Sequence, residues 1–339
     1  MNILYLTCHS VLEYDEVKLL GDLGYNVLTN GVYKLPSKAE SGGGAGRPVI
    51  LNGMKEFPEM VQYLPTKWGG KDPEWYEKLH PKLIEWADVI MSMGLSDWFK
   101  SNWSGIHHKK CVFRSIGQSW KPVEDAIAPF RKLGLKVLRY SPYEDRLAGY
   151  CGSDGMIRFY KDADEFKGWT GEKKEVINMT QSMMQRGDGC GWNLFVGATN
   201  GLPRHLYGRG NKPEVPWITG EISYEEMLKV FRQGRVFLYT GTSPAQYTLA
   251  FMEAWMTGTP MVVAGNGLMG WEREVPSWIE NGVNGFVGHS VDDLNAYCQM
   301  LLEDDSLAKD MSAKGRATAC QLFDKDRIGS EWKAFLEAL

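Results

Sequence analysis

Short apolar runs alternate with amphipathic stretches along almost the whole chain. In the first half, residues 3–7, 26–29, 49–51, 88–92, 111–115 and 136–140 read as strands. Between them, residues 13–23, 72–86 and 122–133 carry apolar side chains at helical spacing. The second half repeats the theme, with strands at 175–180, 204–208, 235–240, 260–264 and 285–287. Helical patterns there occupy 223–233, 245–257, 291–303, 306–322 and 325–339. Such alternation predicts βαβ units, hence an α/β fold with parallel sheets covered on both faces. The polar, turn-rich stretch 150–170, with Gly152-Ser153-Asp154-Gly155, marks the junction. Residues 1–160 are expected to form one Rossmann-like domain and 161–322 a second. The last helix, 323–339, is expected to pack back toward the first. Two such sheets facing a cleft would bind ligands at the carboxyl ends of their strands.

A length of 339 residues suits two domains, each able to bury its own core. With 24% charged residues there is no apolar run of about 18 residues to span a bilayer, although a peripheral membrane contact stays compatible with the pattern. The N-terminus lacks a basic segment and soon meets Glu13, Asp15 and Glu16, so it reads as a first buried strand rather than a signal peptide. Six cysteines without a C-x-x-C pair fit reduced thiols and a cytoplasmic location. Residues 101–150 hold nine Lys/Arg against four acids, whereas 251–300 hold one base, Arg273, against six acids. The basic half could draw an anionic partner or be a solvated helix face. Residues 36–48 are rich in glycine but lack Gly-Lys-Ser/Thr, so they read as a loop over the cleft and not as a P-loop.

The stretch from Tyr239 to Val263 carries the most chemistry. A strand ends near Thr240, and Ser243-Pro244 look like an N-cap and first-turn proline, which would start a helix with its amides aimed at an anion. Glu253 falls among Phe251, Met252, Ala254 and Trp255. A carboxylate in such a setting needs partners, either a ribose diol or a neighbouring arginine. Metal chemistry finds no support: Asp162-Ala-Asp164 and Asp324-Lys-Asp326 do not follow buried strands, and His107-His108 are adjacent. No H-E-x-x-H or G-x-S-x-G occurs.

The run Glu253-Ala-Trp-Met-Thr-Gly-Thr-Pro260, followed by Glu274 and by Ile279-Glu-Asn-Gly-Val-Asn-Gly-Phe-Val-Gly288, resembles the C-terminal domain of group 1 (family 4) glycosyltransferases. The resemblance covers roughly residues 175–335. It implies a GT-B fold, a nucleotide-sugar donor (UDP- or GDP-sugar) rather than a cofactor, and retention at the anomeric carbon. Glu253 looks like the second Glu of the family's Glu-x7-Glu motif, which binds the nucleotide ribose; Ala245 stands where the first would be. Arg186-Gly187 resembles the family's phosphate clamp, and Gly208-Arg209 falls in the glycine-rich turn beside the nucleotide. Ser243, Tyr247 and Thr248 complete the implied donor set.

In the N-terminal half the match is one of pattern only. His9 and Asp15, beside Ser10, Tyr14 and Glu16, sit at the expected sheet edge and are candidates for the catalytic and acceptor groups. Arg114 and Gln118 end another strand there. The implied reaction moves a sugar from a nucleoside diphosphate to an acceptor hydroxyl, with Arg186 stabilising the departing diphosphate. The acceptor is expected to be a carbohydrate or glycoconjugate. Hydroxymethylated bases in DNA, or a non-catalytic nucleotide- or glycan-binding role, stand as alternatives.

Overall fold

The computed structural model describes residues 1–31, 57–64, 78–117 and 120–339. Gln118, the glycine-rich loop 36–48, the strand expected at 49–51 and the start of the helix expected at 72–86 lie outside the described residues. The chain divides into two compact units, Met1–Tyr160 with Lys325–Leu339, and Lys161–Asp324.

In the first unit the described strands are β1 (Asn2–Thr7), β2 (Asn26–Thr29), β3 (Val89–Met93), β4 (Lys110–Arg114), β5 (Lys136–Arg139) and β6 (Gly155–Met156). They pair in parallel in the order β2-β1-β3-β4-β5-β6. All five residues of β3 are buried, which is why its sequence is apolar at every position but Ser92 rather than alternating. Leu4, Leu6, Ile90, Phe113 and Val137 from the sheet meet Leu83, Phe99 and Ile127 from the covering helices. The helix Trp98–Ile106 was not legible, because Ser101, Asn102, Ser104 and Gly105 dilute its pattern; Trp98, Phe99, Asn102 and Ile106 face the core. The C-terminal helix Lys325–Ala338 joins this unit, with Lys325 Nζ 2.8 Å from Asp22 Oδ2 and Trp332 fully buried.

Most basic residues of 101–150 have partners, but only Glu16 and Asp154 are acids from outside that stretch, so its charge excess is reduced and not removed. Arg114 pairs with Glu16, Arg139 with Glu124, Lys121 with Asp125, and Arg131 and Lys136 with Asp154. Arg146 lies near Asp145, and Lys109 donates to the Ala87 carbonyl.

The second unit holds β7 (Lys173–Met179), β8 (Arg204–Tyr207), β9 (Ile218–Gly220), β10 (Gly234–Tyr239), β11 (Met261–Ala264) and β12 (Phe286–Gly288). These too are parallel, in the order β12-β11-β10-β7-β8-β9. The chain moves outward one way from β7 through β9 and the other way from β10 through β12. The order therefore reverses between β7 and β10, which makes their carboxyl ends the topological switch point where such folds bind ligands. The helix expected over 245–257 begins later, at Leu249. Ser243 and Pro244 belong instead to a turn closed by Ala245 N donating to Thr242 O at 2.7 Å, and Thr248 is the cap, its hydroxyl accepting from Phe251 N.

Candidate functional site

The switch point of the second unit is built from the turns after β7, β8 and β10. After β7 the chain makes the short helix Met183–Arg186 and the glycine-rich turn Gly187–Cys190. This segment is fastened to the turn after β10: Ser243 N donates to Gly189 O at 2.7 Å and Thr240 Oγ1 to Cys190 O at 2.7 Å. Arg186, at the end of the short helix, is exposed, and Gly187 follows with a positive φ of 54°.

The turn after β8 carries Gly208 and Arg209 and is pressed against the turn after β7. A Cβ on Gly208 would lie 2.5 Å from the Thr180 carbonyl oxygen, and its φ is +127°, so only glycine fits. Asn211 locks the two turns together. Its Oδ1 accepts from Met183 N at 2.7 Å and Met184 N at 3.4 Å, while its Nδ2 donates to Thr180 O at 2.8 Å and Gly208 O at 2.9 Å. The two loops bearing Arg186 and Arg209 are thus held by one buried amide. An asparagine after a glycine-rich turn carries no distinguishing sequence signal, and it was missed.

Glu253 is 5% exposed, in the second turn of the Leu249–Thr257 helix. Its counter-ion is Lys161, itself 1% exposed, with Nζ 2.5 Å from Oε1. The ion-pair alternative of the sequence reading is thus met by a lysine and not by an arginine. Ser243 is exposed and Thr248 half-buried at the same sheet edge. Tyr247 requires a correction: it is buried, with its ring 5.2 Å from Trp278 and 5.8 Å from Phe323, so it is a core residue. Ala245 is buried as well, at 5% exposure.

In the first unit, His9 is the N-cap of the Ser10–Asp22 helix, its Nδ1 accepting from Leu12 N at 3.4 Å. Ser10 and Asp15 are buried in that helix and Tyr14 is half-buried. Glu16 and Arg114 are another correction. They form an ion pair of 2.7 Å with both side chains almost wholly buried, Tyr5 donates to the same carboxylate, and Arg114 also donates to Arg139 O. Both are spent inside the first unit and offer nothing to an acceptor. Spacing cannot reveal such a pair, because its members are 98 residues apart.

Among the described residues no three His, Cys, Asp or Glu side chains gather as ligands for one metal ion. Among the same residues no helix is long and apolar enough to cross a membrane.

No protein-family model matches the sequence, and the search of curated proteins likewise gives no match. Solved structures do match over the full chain. HepE of Anabaena, with UDP-glucose bound, superposes at a TM-score of 0.69 with 15% identity, covering 100% of both chains. Sucrose-phosphate synthase of Thermosynechococcus elongatus gives 0.68 at 12% identity, covering 100% of this chain and 99% of that one. A glycosyltransferase of Rickettsia africae gives 0.64 at 13% identity over 99% and 98% of the two chains. At these identities the likeness establishes the fold: the α/β architecture with two parallel six-stranded sheets is the one shared by these GT-B proteins.

Proposed function

We propose that this protein is a glycosyltransferase that moves a sugar from a UDP-sugar to an acceptor hydroxyl with retention of anomeric configuration. The observation that carries the reading is the switch-point edge of the second unit. There two arginine-bearing turns are locked together by Asn211, and the helix after β10 carries the buried Glu253. The likeness to HepE, solved with UDP-glucose, supports the choice of uridine nucleotide.

In this mechanism Arg186 and Arg209 grip the diphosphate, arginine being suited to bidentate pairing with phosphate oxygens. Glu253 accepts hydrogen bonds from the ribose hydroxyls through the carboxylate that also faces Lys161. Ser243 and Thr248 contribute hydroxyls at the same edge. The bond from the anomeric carbon to the β-phosphate oxygen breaks as the acceptor oxygen bonds to that carbon. The acceptor's proton passes to the departing phosphate, whose growing charge the arginines stabilise. His9, with Ser10 and Tyr14, offers polar contacts to the acceptor at the carboxyl edge of the first sheet. The acceptor is a carbohydrate or glycoconjugate. The basic residues of 101–150 are mostly tied to acids and carbonyls, so the geometry gives no separate support to DNA as acceptor.

The test is a panel of UDP-, GDP- and ADP-sugars in thermal-shift assays, then mass spectrometry of products against glycan acceptors and NMR of the new anomeric centre. Stabilisation by UDP-sugars and a product of retained configuration are expected. Absence of any nucleotide response would overturn the reading.

A further inference from the structure

Five basic side chains are buried among the described residues: Arg114, Arg139, Lys161, Arg235 and Arg273. Four have carboxylate partners, at 2.7 Å for Arg114–Glu16, 2.6 Å for Arg139–Glu124, 2.5 Å for Lys161–Glu253 and 2.7 Å for Arg235–Asp305. Arg273, with 0% exposure, has none among these residues. Its guanidinium turns instead to the ends of two strands. Nη1 donates to Thr240 O at 2.9 Å, just past β10, and Nη2 donates to Ala264 O at 2.5 Å, the last residue of β11. Nε is buried with no acceptor. The rings of Tyr239 and Trp271 lie 5.8 Å and 5.4 Å from the guanidinium carbon.

The backbone is shaped to admit this group. A Cβ on Gly241 would lie 2.2 Å from Nη1, and Gly241 has a φ of +88°, so the turn after β10 closes over the guanidinium only because it has no side chain. A cation buried without a counter-ion is costly, and carbonyl dipoles offset only part of that cost. Burial accordingly pushes the Arg273 pKa down, against the influence of Tyr239. An unneutralised positive charge kept in low dielectric, under the turn that fastens to Gly189, favours an anion bound at this edge far more than a surface charge would.

We propose that Arg273 is a positioning residue for the donor, bracing the turns after β10 and β11 and holding a buried positive charge that the donor's diphosphate completes. The inference rests on the donor reading above and deepens it. Arg273 acts through the Thr240–Gly241 and Ala264–Gly265 backbone and through its field, not by touching the donor.

The experiment compares binding of UDP and of uridine to the full chain by ligand-observed NMR and calorimetry. It uses the wild type, Arg273→Met, Arg273→Gln and Arg273→Lys. Gln keeps one amide donor for a strand-end carbonyl, so it supplies a folded neutral variant should Met fail to fold. In the neutral variants UDP affinity should fall about tenfold or more while uridine affinity stays within about threefold, and Lys should restore part of the UDP preference. A merely structural role would move both ligands together, and that result would overturn the proposal. So would a folded neutral variant with the wild-type preference for UDP. Wild-type protein that binds neither ligand would instead remove the donor reading itself.

Discussion

Lys161 places its Nζ 2.5 Å from Glu253 Oε1, and both side chains are buried in the second unit. The helix around Glu253 is otherwise closed to water, since Phe251, Met252, Ala254 and Trp255 are all fully buried. One oxygen of a carboxylate can hold an ammonium while the carboxylate still accepts from a diol, so the pair and the ribose role are compatible. Glu253→Gln removes the carboxylate charge that faces the buried Lys161 ammonium. It should cost about 3–5 kcal/mol of stability, read by urea unfolding. The double variant Lys161→Met with Glu253→Gln should recover a good part of that loss. UDP binding should vanish in both; retained UDP affinity in the double variant would make Glu253 purely structural.

Arg186 is exposed and ends a four-residue helix, so its removal should leave the fold nearly untouched. Arg186→Ala should change unfolding free energy by no more than about 0.5 kcal/mol. Its effect belongs in turnover, where loss of one charge-assisted donor to the leaving diphosphate costs about 2–4 kcal/mol in kcat/KM. Steady-state kinetics with the responding UDP-sugar decide the matter, and an unchanged kcat/KM would shift the clamp to Arg209.

Asn211 predicts a different signature, because it touches only backbone and touches both turns. Asn211→Ala should cost about 1–3 kcal/mol of stability, the scale of leaving buried amides and carbonyls unpaired. It should also weaken UDP binding although both arginines remain. Asn211→Asp keeps the acceptor for Met183 N and loses both donors, so it should separate the two halves of the lock. Hydrogen exchange at Met183 reports the outcome: protection is expected to persist in Asp and disappear in Ala.

What the sequence made legible follows from how local each signal is. The strands announce themselves because both faces of each sheet are covered, as in β3 and β10, and each run carries its own apolar pattern. The start of the helix after β10 misled, since Ser243 and Thr248 are both good caps. The choice between them was made by the Thr242–Ala245 turn and by the hydrogen bond from Ser243 N to Gly189, which lies in another loop. Glu16, Arg114 and Tyr247 were readable as polar groups near strand ends, but their actual partners come from distant segments. The charge tally over 101–150 was silent for the same reason: a count of bases and acids does not show that Arg139 is buried against Glu124. Arg273 shows the reverse case. Its oddity as the one base in residues 251–300 was visible at once, and only the fold shows that it meets no acid among the described residues.

The Arg139 cluster gives a prediction in which two carboxylates act with opposite sign. Glu124 takes both terminal nitrogens of Arg139, at 2.6 Å and 2.8 Å, and accepts from Cys151 N at 2.9 Å. Burial pushes its carboxyl up, but the Arg139 guanidinium and that amide outweigh burial and the net direction is down. Glu144 is wholly buried and only 3.7 Å from the same guanidinium, and burial wins there, so its carboxyl titrates above the usual range. A carboxyl with a depressed folded pKa stabilises the fold above its unfolded value of about 4.3 and loses that contribution as pH falls through the folded pKa. A carboxyl with a raised folded pKa does the opposite: its ionisation costs stability above the folded pKa, and the cost is relieved as pH falls toward about 4.3. Acidification from neutral pH should therefore first relieve Glu144 and only then, below about pH 4.3, dismantle Glu124. Glu144→Gln, which mimics the neutral form, should cost less than about 1 kcal/mol at pH 7 and should flatten the stability profile above pH 4.3. Glu124→Gln should cost about 3–5 kcal/mol at pH 7, and the gap from wild type should narrow as pH drops below about 4. Urea titrations of the three proteins across this range test both signs. Equal losses in the two variants at pH 7 would mean that Glu144 is ionised and paired with Arg139 as Glu124 is.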